Sequence, residues 1–224
     1  MKKLIALILI LATCLALGAC TSNTTDPAEK TKKAFENSQE AFRLVTEAYL
    51  LTNTFSKDIY EAWRLGVNDR TSYDDDYEFS DFTDEMNIGK AHIEQAVANL
   101  MGNSQYTYGD WGTLPYLYSS SYFSAWVDVI SEAYKCSGQV KIIEEKLNTA
   151  KTLMKELGNE YSDYEHYPNL KKYFTNTIAF LDFCRNPEGS FEQVVNTFNT
   201  YRNNAREYFF DMNYVFNDSI EGME

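Results

Sequence analysis

The residues best suited to bind a ligand are seven aromatic side chains near the middle of the chain. Aromatic faces beside polar groups suit sugars, cationic head groups or peptides. Glycine and proline residues bend the first part of this stretch, so we expect residues 102–117 to form an irregular aromatic segment. The rings either line an open pocket or fill the core beside a short helix. The candidates are Tyr106, Tyr108, Trp111, Tyr116, Tyr118, Tyr122 and Trp126.

An acidic run further towards the N-terminus is a candidate Ca²⁺ site. Asp74, Asp76 and Glu78 offer carboxylate oxygens, and Ca²⁺ takes six to eight oxygen ligands. The run lacks the spaced D-x-D-x-D-G loop with its terminal Glu. The alternative is a solvated loop whose acids precede a helix, where the helix dipole favours negative charge. The sequence indicates no other metal site and no cofactor.

Two cysteines lie where a disulfide could link neighbouring helices. Cys136 and Cys184 both fall on apolar stripes, and their midpoint lies at the turn expected between two antiparallel helices. The two residues should therefore lie at similar heights. An interhelical disulfide is one alternative, which an exported protein would permit. Two buried thiols that behave as small apolar residues are the other.

Catalytic motifs are absent from the sequence. His92 and His166 are the only histidines and stand far apart. No HExxH, GxSxG or P-loop pattern occurs. Acidic residues are plentiful, so a hydrolase that uses two carboxylates remains an alternative, but no spacing forces two of them into one cleft. The sequence therefore predicts a protein that is not an enzyme.

The first residues have the features of an export signal. Lys2 and Lys3 precede an uncharged apolar run, residues 4–17. This run is shorter than the roughly 20 residues that span a bilayer. It is instead typical of a signal peptide, which is removed during export.

The end of this signal, Leu17-Gly18-Ala19-Cys20, resembles the lipobox of bacterial lipoproteins. The resemblance implies that residues 1–19 are cleaved and that Cys20 receives a diacylglyceryl group. The new amino terminus can then be acylated, for example with palmitate. The resemblance also implies anchoring to the cell membrane facing outward, or to the outer membrane where one exists. The alternative is an ordinary signal peptide with an incidental cysteine.

The elements that position these residues are predicted to be helices. Apolar residues recur at alternating intervals of three and four, often as heptads. We therefore expect an all-α fold, a single antiparallel bundle of about four long helices over residues 27–224, joined to the lipidated cysteine by a short tether over residues 20–26. The first two helices are expected over residues 27–65 and 82–101. The third is expected to begin at 115 or 120 and to end at 157. A fourth begins near Pro168 and is interrupted near Pro187, and Ser190 then caps a last helix.

Charge narrows the function classes. The 224 residues carry a net charge of −13, and loss of Lys2 and Lys3 with the signal takes this to −15. Nucleic acid is therefore not an expected partner. Apart from the bilayer, we expect an envelope protein or a small ligand as partner. The sequence favours a binding or interaction module at the cell envelope. A small-molecule receptor that uses the aromatic residues is the alternative, and the carboxylate hydrolase is a remote one.

Overall fold

The computed structural model describes residues 27–68, 83–101, 106–108, 115–117 and 122–216, and it confirms an all-α bundle. Six helices of twelve or more residues occur in these ranges, and two three-residue strands pair antiparallel. The elements in chain order are α1 (Pro27–Asn68), α2 (Lys90–Met101), β1 (Tyr106–Tyr108), β2 (Pro115–Leu117), α3 (Tyr122–Cys136), α4 (Gln139–Glu160), α5 (Tyr167–Arg185) and α6 (Phe191–Phe216).

Helix α1 is the element on which the other long helices pack. It contacts α3, α4, α5 and α6. The alanines Ala34, Ala41, Ala48 and Ala62 are spaced by seven or fourteen residues along it, and all four are buried in the core. A small side chain lets the backbone of a neighbouring helix approach closely. At 1.5 Å per residue, the 42 residues of α1 extend about 63 Å.

The predicted third helix is in fact two helices. The chain turns at Ser137 and Gly138, and Gly138 adopts a left-handed conformation with φ of 78°. The amide of Gly138 donates to the carbonyl of Lys135 instead of continuing the α-helical pattern. Both halves, α3 and α4, pack on α1. The apolar residues therefore keep their spacing through the break. The spacing is maintained because α3 and α4 both pack on α1, and it does not require one continuous helix.

The predicted end of this helix at residue 157 is also wrong, since α4 continues through Gly158 to Glu160. A Cβ at Gly158 would lie 2.5 Å from the hydroxyl oxygen of Tyr167. The glycine therefore provides space for the start of α5 and does not end a helix.

The predicted second helix is shortened to α2. Residues 83–85 form a single helical turn, and the chain is non-helical from 86 to 89 before α2 begins at Lys90. The following residues, expected to be irregular, contain the β1–β2 pair in the register Tyr106 to Leu117. This pair lies against α2 and α3.

The predicted interruption before the last helix is confirmed. The helix α5 ends at Arg185, before Pro187, and α6 begins at Phe191. The Ser190 hydroxyl accepts a hydrogen bond from the Gln193 amide at 3.3 Å, and the Gln193 side chain accepts one from the Ser190 amide at 2.7 Å. This reciprocal pair is a capping box, which satisfies two amides at the start of α6.

Among the described helices, none combines the length and apolar character needed to cross a membrane.

Substitution of Gly138 tests the break between α3 and α4. Nothing lies within 4 Å of a Cβ at this position, so the cost of Gly138→Ala is purely conformational. We expect a loss of about 1–2 kcal/mol, because a left-handed conformation is strained for alanine. Gly138→Asn is the control and should lose less, since asparagine tolerates this conformation. The measurement is equilibrium unfolding in urea. A continuous helix would instead be stabilised by alanine.

Candidate functional site

The structure places only part of the predicted aromatic site. Trp111 and Tyr118 lie outside the described residues. Tyr106 and Tyr108 belong to β1, Tyr116 to β2, and Tyr122 is the first residue of α3; of these four the structure describes the backbone. The side chain of Trp126 is described, and it is 4% exposed within the core. Trp126 therefore fills the core and does not line an open pocket.

The acidic residues proposed for Ca²⁺, Asp74, Asp76 and Glu78, also lie outside the described residues. Within the part of the chain that the structure describes, no three His, Cys, Asp or Glu side chains are grouped so that they could hold a metal ion. The two histidines, His92 and His166, lie on different parts of the described structure. His92 is exposed on α2, and His166 contacts the carboxylate of Glu165 at 3.0 Å.

The structure has Cys136 and Cys184 as free thiols with different surroundings. Cys136 is half-buried near the end of α3, 3.1 Å from the Asn99 amide nitrogen. Cys184 is fully buried in α5, and its thiol donates to the backbone carbonyl of Thr52 at 3.9 Å. Burial raises the pKa of both thiols, which makes each a poor nucleophile.

A buried carboxylate that the sequence analysis missed lies near the end of α1. Asp58 is 0% exposed and accepts four hydrogen bonds. Oδ1 accepts from the backbone and side-chain amides of Asn87 at 2.9 and 2.6 Å. Oδ2 accepts from the Ile88 amide and the Tyr134 hydroxyl, both at 2.9 Å. These bonds explain why helix formation fails between residues 86 and 89, since two amides there donate to Asp58.

The sequence did contain a signal for Asp58. The residue lies three positions after Phe55 and four before Ala62, both of which are 0% exposed. This spacing places the carboxyl on the apolar face of α1. An acidic residue within such a stripe requires hydrogen-bond donors, because burial of an unpartnered charge is costly.

Tyr134 is the second member of this buried group. Its ring stacks on Phe55 with centroids 4.1 Å apart, and its hydroxyl donates to Asp58. Burial raises the pKa of Tyr134, and the neighbouring Asp58 charge raises it further. The group therefore links α1, the 86–89 turn and α3 through one carboxylate.

An open cavity of about 680 Å³ lies beside the turn that Asp58 positions. We call it the α1–α6 cleft. Its walls are the C-terminal part of α1, the N-terminal half of α6, and the side chains of Glu85 and Asn87. Tyr60 approaches Phe191 at a centroid distance of 5.6 Å, which brings the two helices together beside the cleft. The volume falls in the range of ordinary small-molecule sites.

Arg202 is the charged residue set most deeply into this cleft. It is half-buried on α6, and its Nε and Nη2 donate to Asn53 Oδ1 at 2.8 Å and Ser56 Oγ at 2.7 Å. Both acceptors are neutral. Among the described residues, no carboxylate lies within 4 Å of the guanidinium. Burial lowers the pKa of Arg202.

The other charged residues of the cleft are mostly paired with each other. Arg64 binds Glu61 at 2.5 Å and Glu85 at 2.7 Å. Lys57 is exposed at the rim. The cleft therefore has three cationic and two anionic side chains, and Arg202 and Lys57 are the cations without a carboxylate partner among the described residues.

Comparison of the chain with protein-family models, curated proteins and solved structures finds no match in any of the three. A function is therefore inferred from the fold and from the α1–α6 cleft.

Removal of the Tyr134 hydroxyl tests the buried group. Tyr134→Phe keeps the ring stacked on Phe55 but leaves Asp58 one donor short, so we expect a loss of about 1.5–3 kcal/mol at pH 7. Tyr208→Phe is the control, because the Tyr208 hydroxyl makes no hydrogen bond within the described residues. Urea unfolding measures both variants, and equal losses would contradict the prediction.

The same variant has a predicted effect on pH dependence. A tyrosine whose pKa is raised by folding gives stability that is complete below about pH 10 and is lost as the pH rises further. Tyr134 should contribute up to about 1.4 kcal/mol per pH unit to this alkaline loss. We expect Tyr134→Phe to have a shallower decline than the parent between pH 10 and 11, measured by the same unfolding experiment.

Alkylation followed by peptide mass spectrometry tests the thiols. Without reductant, the native protein should be modified slowly at Cys136 and not at Cys184, since the latter is buried. Both should react once the protein is unfolded in denaturant. Recovery of a cross-linked pair of peptides containing Cys136 and Cys184 would show a disulfide and contradict the prediction.

Proposed function

We propose that this chain is a lipid-anchored protein of the cell envelope that binds a partner or ligand without transforming it. The anchor is Cys20, which follows an export signal and the lipobox-like Leu17-Gly18-Ala19. Two or three acyl chains on one cysteine would hold the protein stably at a bilayer, where a single chain would not.

The observation that carries the binding role is the α1–α6 cleft and its place in the bundle. The tether joins the start of α1 at Pro27, while Lys57 to Arg64 lie about 45–55 Å further along the same helix axis. A cleft near the opposite end of α1 from the anchor would be accessible to partners outside the membrane.

The chemistry of the cleft supports binding over catalysis. Its two carboxylates, Glu61 and Glu85, both bind the guanidinium of Arg64. A carboxylate hydrolase needs one acid and one base placed on either side of a scissile bond. Two carboxylates bound to one cation do not make that arrangement. No Cys, Ser or His lines the cleft within the described residues.

The second candidate, a small-molecule receptor, is favoured by the size of the cleft. A concave site of about 680 Å³ is of the size that binds small molecules. A protein partner usually binds to a flatter surface. This candidate shifts the binding residues from the aromatic segment of the sequence prediction to the facing sides of α1 and α6.

Metabolic labelling tests the anchor. Cells that express the full-length chain would be grown with an alkyne-tagged palmitate, and the purified protein examined for the label. We expect the parent and the control variant Cys14→Ser to carry label and remain with membranes, because Cys14 lies within the removed signal. Cys20→Ser should carry none. A labelled Cys20→Ser variant, or an unlabelled parent, would contradict the proposal.

A further inference from the structure

We propose that the α1–α6 cleft binds an organic carboxylate, an acid group on a small apolar or aromatic body, through the guanidinium of Arg202. The inference deepens the proposed binding role and rests on it. It requires three things. Arg202 must have N–H groups that make no other hydrogen bond, and an apolar surface must lie beside them. The net charge of the cleft must also suit a singly charged anion.

Arg202 has unused donors in a fixed position. Of its five N–H groups, the structure pairs one on Nε with Asn53 and one on Nη2 with Ser56. The Ser56 hydroxyl in turn donates to the backbone carbonyl of Asn53 at 2.7 Å, which fixes the position of the Ser56 oxygen that accepts from Arg202. Nη1 has no hydrogen bond within the described residues. A guanidinium held in this way offers a planar set of donors that matches a carboxylate.

The cost of holding Arg202 in the cleft also favours an anion. A half-buried cation loses part of its hydration, and neutral acceptors replace only some of it. An arriving carboxylate would supply the missing negative charge. The bond would be stronger than one at an exposed arginine, since the partly excluded water screens it less.

An apolar surface adjoins the guanidinium. Arg202 lies over the ring of Phe198 at 5.7 Å from the centroid. Tyr60 and Val195 contribute further apolar area to the same cleft, while Asn87 and Asn199 add polar side chains to its lining. These groups suit an acid with a small organic body better than a bare inorganic ion.

The charge balance favours a single negative charge. Arg64 with Glu61 and Glu85 carries a net charge of −1, and Lys57 and Arg202 bring the cleft to a net charge of +1. Lys57 is exposed at the rim and would draw an anion towards the cleft without holding it tightly. A dianion such as phosphate exceeds the single excess positive charge of the cleft, and Glu61 and Glu85 would repel it more strongly than they repel a monoanion.

Titration calorimetry on the full-length chain, purified from membranes in a mild detergent, tests the inference. The probes are 3-phenylpropanoate, its neutral amide, and inorganic phosphate. A short peptide with a free carboxyl terminus and its amidated form show whether a free acid or a chain end fits better. We expect the carboxylates to bind at least about tenfold more tightly than the matching amides, the ratio expected for one charge-assisted hydrogen bond.

A pair of matched variants locates the site. Asn199→Asp adds a carboxylate to the cleft lining at an exposed position, one helical turn before Arg202. Asn203→Asp makes the same change at an exposed position of α6 that does not line the cleft. We expect Asn199→Asp to weaken 3-phenylpropanoate binding at least about tenfold and Asn203→Asp to leave it within about twofold.

Arg202→Lys gives a further comparison, because it keeps the charge and removes the planar set of donors. Its binding should be weaker than that of the parent but measurable. Unchanged melting temperatures of Asn199→Asp and Asn203→Asp would show that both are folded.

Several results would overturn the inference. They are no binding of either carboxylate by the parent, equal binding of carboxylate and amide, binding of phosphate in preference to 3-phenylpropanoate, or equal effects of Asn199→Asp and Asn203→Asp. None of these results bears on the labelling of Cys20, so the lipid anchor and the ligand class are judged separately.

Discussion

The buried carboxylate of Asp58 imposes a constraint on three separate parts of the chain. Since it is fully buried and no cation lies beside it among the described residues, neutral donors must offset its lost hydration. Four of them do, from Asn87, Ile88 and Tyr134. These bonds fix the 86–89 turn against α1 and orient α3. They also place Asn87 and the preceding Glu85 in the wall of the α1–α6 cleft. Packing of α1 against the other helices would supply most of the apolar stabilisation, but the shape of this end of the bundle follows from one charged group.

Much of the fold could be predicted from the sequence where the cause is local. The start of α5 near Pro168, the end of α5 before Pro187 and the Ser190 cap depend on a few adjacent residues, and the structure confirms them. The breaks at 86–89 and at Gly138 could not be predicted from periodicity. The first depends on a residue almost thirty positions away, and the second is concealed because α3 and α4 bury their stripes against the same helix.

The candidate site was harder to predict than the fold. The aromatic residues were conspicuous by type, yet Trp126 packs in the core. Arg202, Asn53 and Ser56 gave no such signal, since polar residues on helices are usually solvated. Their importance comes from the juxtaposition of two helices at opposite ends of the chain, and no spacing rule applied to one segment reveals it. Asp58 is the exception, because its position within an apolar stripe was visible in the sequence.

The pairing of the first and last described helices also bears on synthesis and on the proposed export. The bonds from Arg202 to Asn53 and Ser56 join residues that are 149 and 146 positions apart. A chain that leaves the cytoplasm N-terminus first would have all of α1 outside long before α6 follows. Until then, the apolar face of α1 would lack one of its partners, and such unfinished surfaces are prone to aggregation. The cleft would come into existence only when the last helix arrives. A truncated or stalled chain would thus carry the proposed lipid anchor and lack the proposed binding site.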